Sequence, residues 1–227
     1  MVIQATIWSG RQHCEAAVYQ SLMALRGVDK RLWLVHSGTQ AMELFSDGVD
    51  MVRLAGPVVP QYGPRSAHAL ACLQSWESLW TLIRGLDGSD VMLIDDDMVV
   101  PADAAQRLAP LARQYGAASG LARTDDGKWP MFDREGWQWP QPPAAPAAVD
   151  FCGTFCFYLT GAAIARLQDT GYEPDSRVPG VGFTGHDLHL CHAIRAAGLA
   201  VWLDPAVRCD HHVMLGPQEY VIRREIR

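Results

Sequence analysis

Residues Val91–Asp97 read Val-Met-Leu-Ile-Asp-Asp-Asp, an apolar run that stops abruptly at three carboxylates. Four apolar residues bounded by charge predict a strand over 91–94 buried on both faces, as strands of parallel sheets are. The carboxylates then emerge at its C-terminal end, the edge at which open α/β sheets bind ligands. Side chains alternate along a strand, so Asp95 and Asp97 are expected on one side and Asp96 on the other. Two hard oxygen donors on one side suit Mg²⁺ or Mn²⁺ bound jointly with a phosphate. Taken alone, the same residues also describe a solvated acidic turn.

The flanking pattern embeds this strand in an α/β alternation. Val2–Trp8 reads as a strand closed by Ser9-Gly10, then a helix carries Cys14, Ala17, Val18, Leu22 and Leu25 on one face. Strands follow at Leu32–His36 and Val49–Leu54, with a short helix at Ala41–Phe45 between them. Pro57–Pro64 is a loop, and Pro64 suits the first position of a helix over Ser66–Arg84, where Leu70, Leu73, Trp76, Leu79 and Leu82 recur at helical spacing. A helix near Ala102–Gln114 and a strand at Ala117–Leu121 continue the series. Such alternation implies a three-layer α/β domain with a mostly parallel, mixed central sheet.

Ala122–Ala148 interrupts the rhythm with prolines, glycines and charges, and reads as one long irregular loop. Its tryptophans argue against plain disorder. Beyond it the pattern predicts a strand at Asp150–Leu159, a helix at Gly161–Leu167, a Gly/Pro-rich loop at Gly171–Gly185, a helix at Asp187–Ala197 and a short strand at Val201–Leu203. The pattern leaves Val213–Arg227 unassigned.

With 227 residues and 49% hydrophobic content, the chain can bury a full core and is expected to form one domain over 1–227. A net charge of −6 provides no basic footprint for nucleic acid. Polar residues interrupt Met1–Ser21 too early for a secretory signal. No segment reaches the roughly 18 unbroken apolar residues of a membrane span. On one continuous strand Cys152 and Cys156 would lie about 13 Å apart, too far for a disulfide. The six cysteines are therefore read as reduced thiols of a cytoplasmic protein.

A second constellation lies downstream. Asp187 opens a predicted helix, and Gly198, Trp202, Asp204-Pro205 and His211-His212 follow in order. Together with Asp95 and Asp97, this succession resembles the GT-A glycosyltransferases, in particular the inverting family-2-like type, over roughly Met92–His212. The resemblance implies a GT-A-like (nucleotide-diphospho-sugar transferase) domain, with 1–97 as the nucleotide-binding half and 98–227 as the acceptor and catalytic half. It implies transfer of a sugar from a UDP- or GDP-sugar to a hydroxyl acceptor, a small molecule or a glycan. Asp97, Asp95 and His211, or its neighbour His212, would hold Mn²⁺ or Mg²⁺, with Asp95 able to touch the ribose instead. Asp187 would be the catalytic base, kept ionised by the helix dipole; as a bare sequence feature it is equally a helix N-cap. Donor contacts would come from Trp8, Arg11, Arg65, Asp95 and Asp96, with Arg65 forking onto phosphate oxygens.

His186 stands where the family often has an acidic residue, and joins Trp137 and Trp139 as an acceptor contact. Indoles stack on the apolar faces of sugars, but Trp129, Trp137 and Trp139 equally suit anchors for their loop. Three rivals remain. A nucleotidyltransferase uses a similar sheet, though Ser9-Gly10-Arg11 is a weak version of its Gly-rich opening loop. A non-catalytic nucleotide-sugar-binding domain would keep the fold and lose turnover. A zinc site could recruit His186, His189, Cys191, His192, Cys209, His211 and His212, although their spacing is not that of structural zinc.

Overall fold

The structure, a computed structural model, describes residues 1–8, 16–36, 50–54, 79–124, 127–133, 138–171, 186–215 and 218–222. Arg11, Arg65, Trp137, Cys14, Cys72, the Ala41–Phe45 helix and the Pro57–Pro64 loop lie outside these residues, as does Gly171–Gly185 except for Gly171.

The first half follows the alternation. Strand β1 (Val2–Trp8) leads to helix α1 (Ala16–Ala24), then β2 (Lys30–His36) and β3 (Asp50–Leu54). Residues 79–85 are the described part of helix α2. Strand β4 (Asp90–Asp95) is separated from the short β5 (Met98–Val99) by a turn, and α3 (Ala104–Tyr115) runs into β6 (Gly116–Leu121).

The second half departs from the expectations in four places. The 122–148 segment is not one irregular loop: it contains β7 (Met131–Phe132) and the start of β8 (Ala147–Val149). The strand expected over Asp150–Leu159 is two, β9 (Phe151–Cys152) and β10 (Cys156–Leu159). They join different sheets, because β9 pairs with β7 whereas β10 enters the main sheet. After α4 (Gly161–Asp169) and α5 (His186–Ala196), the strand expected at Val201–Leu203 extends through β11 (Ala200–Arg208). The unassigned tail forms a hairpin of β12 (Asp210–Leu215) and β13 (Gln218–Ile222).

The main sheet has the order β3-β2-β1-β4-β10-β6-β11-β8. The pairs β3–β2, β2–β1, β1–β4 and β6–β11 are parallel. Strand β10 runs antiparallel between β4 and β6, and β8 antiparallel on β11, so the sheet is mixed and mostly parallel. Alternation along the central strands divides the core into two layers. Val91, Leu93, Phe157 and Leu159 face α2, α4 and α5, while Met92, Ile94, Cys156 and Tyr158 face α1 and α3. This is the three-layer arrangement. Amphipathic α3 shows the logic locally: Ala104, Ala105, Leu108, Ala109 and Ala112 are buried and Arg107 is exposed.

The start of β4 is pinned to the second half by one carboxylate. Asp90 accepts the Tyr158 hydroxyl and the Gly161 N–H, each at 2.8 Å. Gly161 packs so closely on Gly88 that a Cβ would collide with the Gly88 carbonyl. Among the described residues no helix is long and apolar enough to cross a membrane.

Leu93 is fully buried in the centre of the sheet. Leu93→Ala is expected to cost about 2–5 kcal/mol, and Gly161→Ala about 1–3 kcal/mol through overpacking. Urea denaturation followed by circular dichroism measures both.

Candidate active site

The chain builds β1, β2 and β3 outward in one direction, then returns to lay β4 on the other side of β1. That reversal leaves a crevice beyond the C-terminal ends of β1 and β4, where Ile7 and Asp95 stand opposite each other. The start of antiparallel β10 and the ends of β6 and β11 reach the same edge, through the Cys156–Ile94 and Arg208–Leu121 partners.

Strand β4 ends at Asp95, and Asp96 and Asp97 form the turn into β5. The alternation rule therefore lapses after Asp95. Asp95 is half-buried, whereas both Asp96 and Asp97 are buried, at 4% and 7% exposure. Asp97 is met by the C-terminal hairpin. Strand β11 leaves its register with β6 between Leu203 and Arg208, where Asp204 accepts the Ala206 N–H and Arg208 Nε donates to the Pro205 carbonyl. The Asp204-Pro205 pair thus shapes an irregularity that redirects the chain. Cys209 N–H then bonds Leu121 O at 2.7 Å, and β12 pairs antiparallel with β5.

That pairing delivers His211. Its Nε2 lies 2.9 Å from Asp97 Oδ2, and its Nδ1 lies 2.8 Å from the Arg123 carbonyl. A carbonyl only accepts, so Nδ1 carries the proton and donates. Nε2 then faces a carboxylate, an arrangement that suits an imidazolium or a nitrogen lone pair directed at a cation. Metal-ligating histidines commonly donate their other ring N–H to a backbone carbonyl in this way. His212 donates its backbone N–H to the Asp97 carbonyl at 2.8 Å. The Phe155 ring covers His211 at a centroid distance of 5.6 Å. Gly153 lies close under that phenyl, since a Cβ there would stand 2.8 Å from Phe155 Cε2.

The pair fits a divalent cation. Two neighbouring ligands about 2.1 Å from an octahedral ion stand about 3.0 Å apart, close to the observed O···N separation. An imidazole in the donor set tilts the choice toward Mn²⁺ over oxygen-seeking Mg²⁺. Among the described residues no group of three or more His, Cys, Asp or Glu side chains is arranged to hold a metal. Such a site therefore needs phosphate and water oxygens to complete its shell, as nucleotide-bound cations commonly do.

Asp187 lies in the first turn of α5, and its Oδ1 accepts the Leu188 N–H at 2.8 Å. Helix α5 packs on β9, where Cys191 Sγ donates to the Cys152 carbonyl at 3.6 Å. Cys152 lies three residue steps, roughly 10 Å of extended chain, from the Phe155 that covers His211. Helix α5, which carries Asp187, and the Asp97–His211 pair thus both adjoin the break between β9 and β10. His186 is the first residue of α5 and Trp8 the last of β1, and the side chains of both lie outside the described residues.

Cys152, Cys156, Cys191 and Cys209 are free and buried, as the reading of reduced thiols expects. Cys152 faces Cys191 and Cys156 faces Cys209; thiol–thiol hydrogen bonding, then burial, pushes Cys152 and Cys156 well above the ordinary thiol range. The separation along one strand is not what keeps Cys152 and Cys156 apart, since the strand is broken. His189 is buried, and His192 is half-buried, its pKa lowered by burial and then by Arg195.

Arg123 and Phe155 escaped sequence reading. Arg123 acts through a backbone carbonyl, which carries no residue signature, and Phe155 reads as an ordinary strand residue. Trp129 is buried, with the Arg123 guanidinium 4.9 Å over its ring, as an anchor of the segment should be. Trp139 is half-buried against the core and lines a cavity of about 430 Å³ with Arg123, Lys128, Trp129 and Gln138.

No protein-family model matches the chain, and no curated protein matches it. Among solved structures it is similar to A197 from STIV, with a TM-score of 0.57 and 11% identity, covering 100% of this chain and 96% of that one. It is similar to GalNAc-T7, solved with UDP, GalNAc and Mn²⁺, at a TM-score of 0.58 and 12% identity; the match covers 94% of this chain and 43% of that one. It is also similar to UDP-glucose pyrophosphorylase from Acinetobacter baumanii, at 0.50 and 10% identity, covering 92% and 88%. At such identities the likeness is one of fold. The chain has the nucleotide-diphospho-sugar transferase fold.

The Arg123 contact makes a direct prediction about His211. Long-range ¹H–¹⁵N correlation NMR is expected to show a proton on its Nδ1, and a spectrum with Nε2 alone protonated would contradict the arrangement.

Proposed function

We propose that the chain is a metal-dependent glycosyltransferase that moves a sugar from a UDP- or GDP-sugar to a hydroxyl acceptor with inversion. The observation that carries this reading is the Asp97–His211 pair at the switch-point edge, with Nδ1 tied to the Arg123 carbonyl. Asp97 and His211 are the metal ligands, and Asp95 contacts the ribose. A divalent cation held there would neutralise the charge that grows on the leaving diphosphate.

Residues 1–97 serve as the nucleotide half of a single domain. Trp8 and Arg11 contact the base and ribose, Arg65 the phosphate oxygens, and Asp96 supports the donor side. Residues 98–227 form the acceptor half, with Trp137, Trp139 and His186 against the acceptor. Asp187 takes the acceptor hydroxyl's proton. Its place in the first turn of α5 favours the ionised carboxylate such a base needs, and the Leu188 N–H orients it.

Calorimetry tests the metal assignment. UDP or GDP is expected to bind at least tenfold more tightly with Mn²⁺ than with EDTA, with a smaller gain from Mg²⁺, and Asp97→Ala should abolish the gain. Equal affinity under all conditions would remove the metal role. Asp187→Asn tests the base. Turnover should fall by about 10²–10⁴-fold with donor affinity nearly unchanged. Asparagine is also a good helix cap, so a purely structural Asp187 would leave activity near wild type.

A nucleotidyltransferase is the second reading, supported by the fold shared with UDP-glucose pyrophosphorylase. It predicts pyrophosphate release from a nucleoside triphosphate and a sugar 1-phosphate. The first reading predicts nucleoside diphosphate release from a nucleotide sugar. Assaying both products on one preparation separates the two, and folded protein that binds nucleotide sugars but forms neither product is a binding domain.

A further inference from the structure

The cavity formed by Arg123, Lys128, Trp129, Gln138 and Trp139 carries a chemistry that the transfer reaction alone does not require. It follows the end of β6, across β4 from the strands β1–β3 of the nucleotide half. The Arg123 carbonyl holds His211 Nδ1 while the Arg123 side chain lines the cavity, so one residue spans the metal pair and the cavity wall.

The wall is basic and aromatic. Although the chain carries a net charge of −6, the described residues lining this cavity include two cations and no carboxylate. The Arg123 guanidinium lies over the buried Trp129 indole, and among the described residues no carboxylate pairs with it. Stacking uses the guanidinium face and leaves its in-plane N–H edge for a forked contact with a carboxylate or phosphate. Trp129 is itself held by Gln138, whose Nε2 donates to the Trp129 carbonyl at 2.7 Å. Thr124 N–H and Oγ1 both donate to the Lys128 carbonyl, at 2.9 and 3.0 Å, so a closed turn holds the second cation. Half-buried Trp139 adds a flat apolar wall suited to a sugar ring. The cavity, about 430 Å³, is in the range of small-molecule sites.

We infer that this cavity is the acceptor pocket and that it selects a sugar bearing an anionic group, a carboxylate or a phosphate ester, which Arg123 grips with Lys128 at the rim. The inference rests on the transferase reading for the word acceptor, but the anion preference is a binding property that can be measured without turnover.

The test is calorimetric binding of glucose, glucuronic acid and glucose 6-phosphate to the full chain, alongside UDP with Mn²⁺. At least one anionic sugar is expected to bind ten or more times as tightly as glucose, and comparing the two identifies the preferred anion. Arg123→Gln preserves the carbonyl that holds His211 and should erase that preference; Lys128→Gln should reduce it several-fold. Lys128→Gln should leave UDP affinity within twofold. Equal binding of all three sugars, binding of none, or a preference that survives Arg123→Gln would overturn the inference. A loss of UDP affinity in Lys128→Gln would do so too, because it would assign that cation to the donor. Persistence of the anion preference in a chain that binds no nucleotide would leave the pocket standing as an anionic-sugar site and remove the transferase reading instead.

Discussion

The antiparallel pairing of β12 with β5 governs the geometry of the site. It sets His211 opposite Met98 and lets the His212 N–H bond the Asp97 carbonyl at 2.8 Å. Because side chains alternate, fixing this register chooses which of two adjacent histidines faces the carboxylate. A slip of one residue would turn His212 toward Asp97 and His211 away. The Arg123 carbonyl below and the Phe155 ring above then hold the chosen imidazole. The β4–β5 turn, the chain after β6, the residue before β10 and the C-terminal hairpin all converge on one ring.

The main sheet makes this convergence possible. Parallel strands that reverse their order leave their C-terminal ends open at the reversal, here between β1 and β4. Antiparallel β10 presents its N-terminal end at the same edge, which is why the break at Gly153–Phe155 can supply the ring that covers His211. The two core layers on either side keep β4 rigid, since Val91 and Leu93 pack one way and Met92 and Ile94 the other. A carboxylate at the end of such a strand is positioned by the core as a whole, and rigid elements of this kind hold polar groups more accurately than free loops do.

Segment 122–148 shows how an apparently irregular stretch acquires order without regular periodicity. Its strands are only two or three residues long, and its order comes from pairing with β9 and β11 and from indoles packed on the body. Gly153 N–H reaches the Pro130 carbonyl, and Trp139 N–H the Met131 carbonyl. Such contacts satisfy backbone groups that proline-rich sequence cannot satisfy within itself.

Local pattern carried much of this protein. The apolar run before three aspartates determined a buried strand and the carboxylates at its C-terminal end. The alternation of strand and helix periods determined a layered α/β domain with a mostly parallel sheet, because those periods are properties of adjacent residues. Asp95, Asp97, Asp187 and His211 were legible as candidates from residue type and order. Tertiary structure decided what depends on distant pairing: the insertion of β10 between β4 and β6, the division of 150–159 into two strands, and the meeting of Asp97 with His211 rather than His212. It also decided the cavity beneath Arg123, whose carbonyl and guanidinium serve different neighbours. Register, strand order and backbone acceptors have no signature within a short window, since each is settled by contacts between residues far apart in the chain.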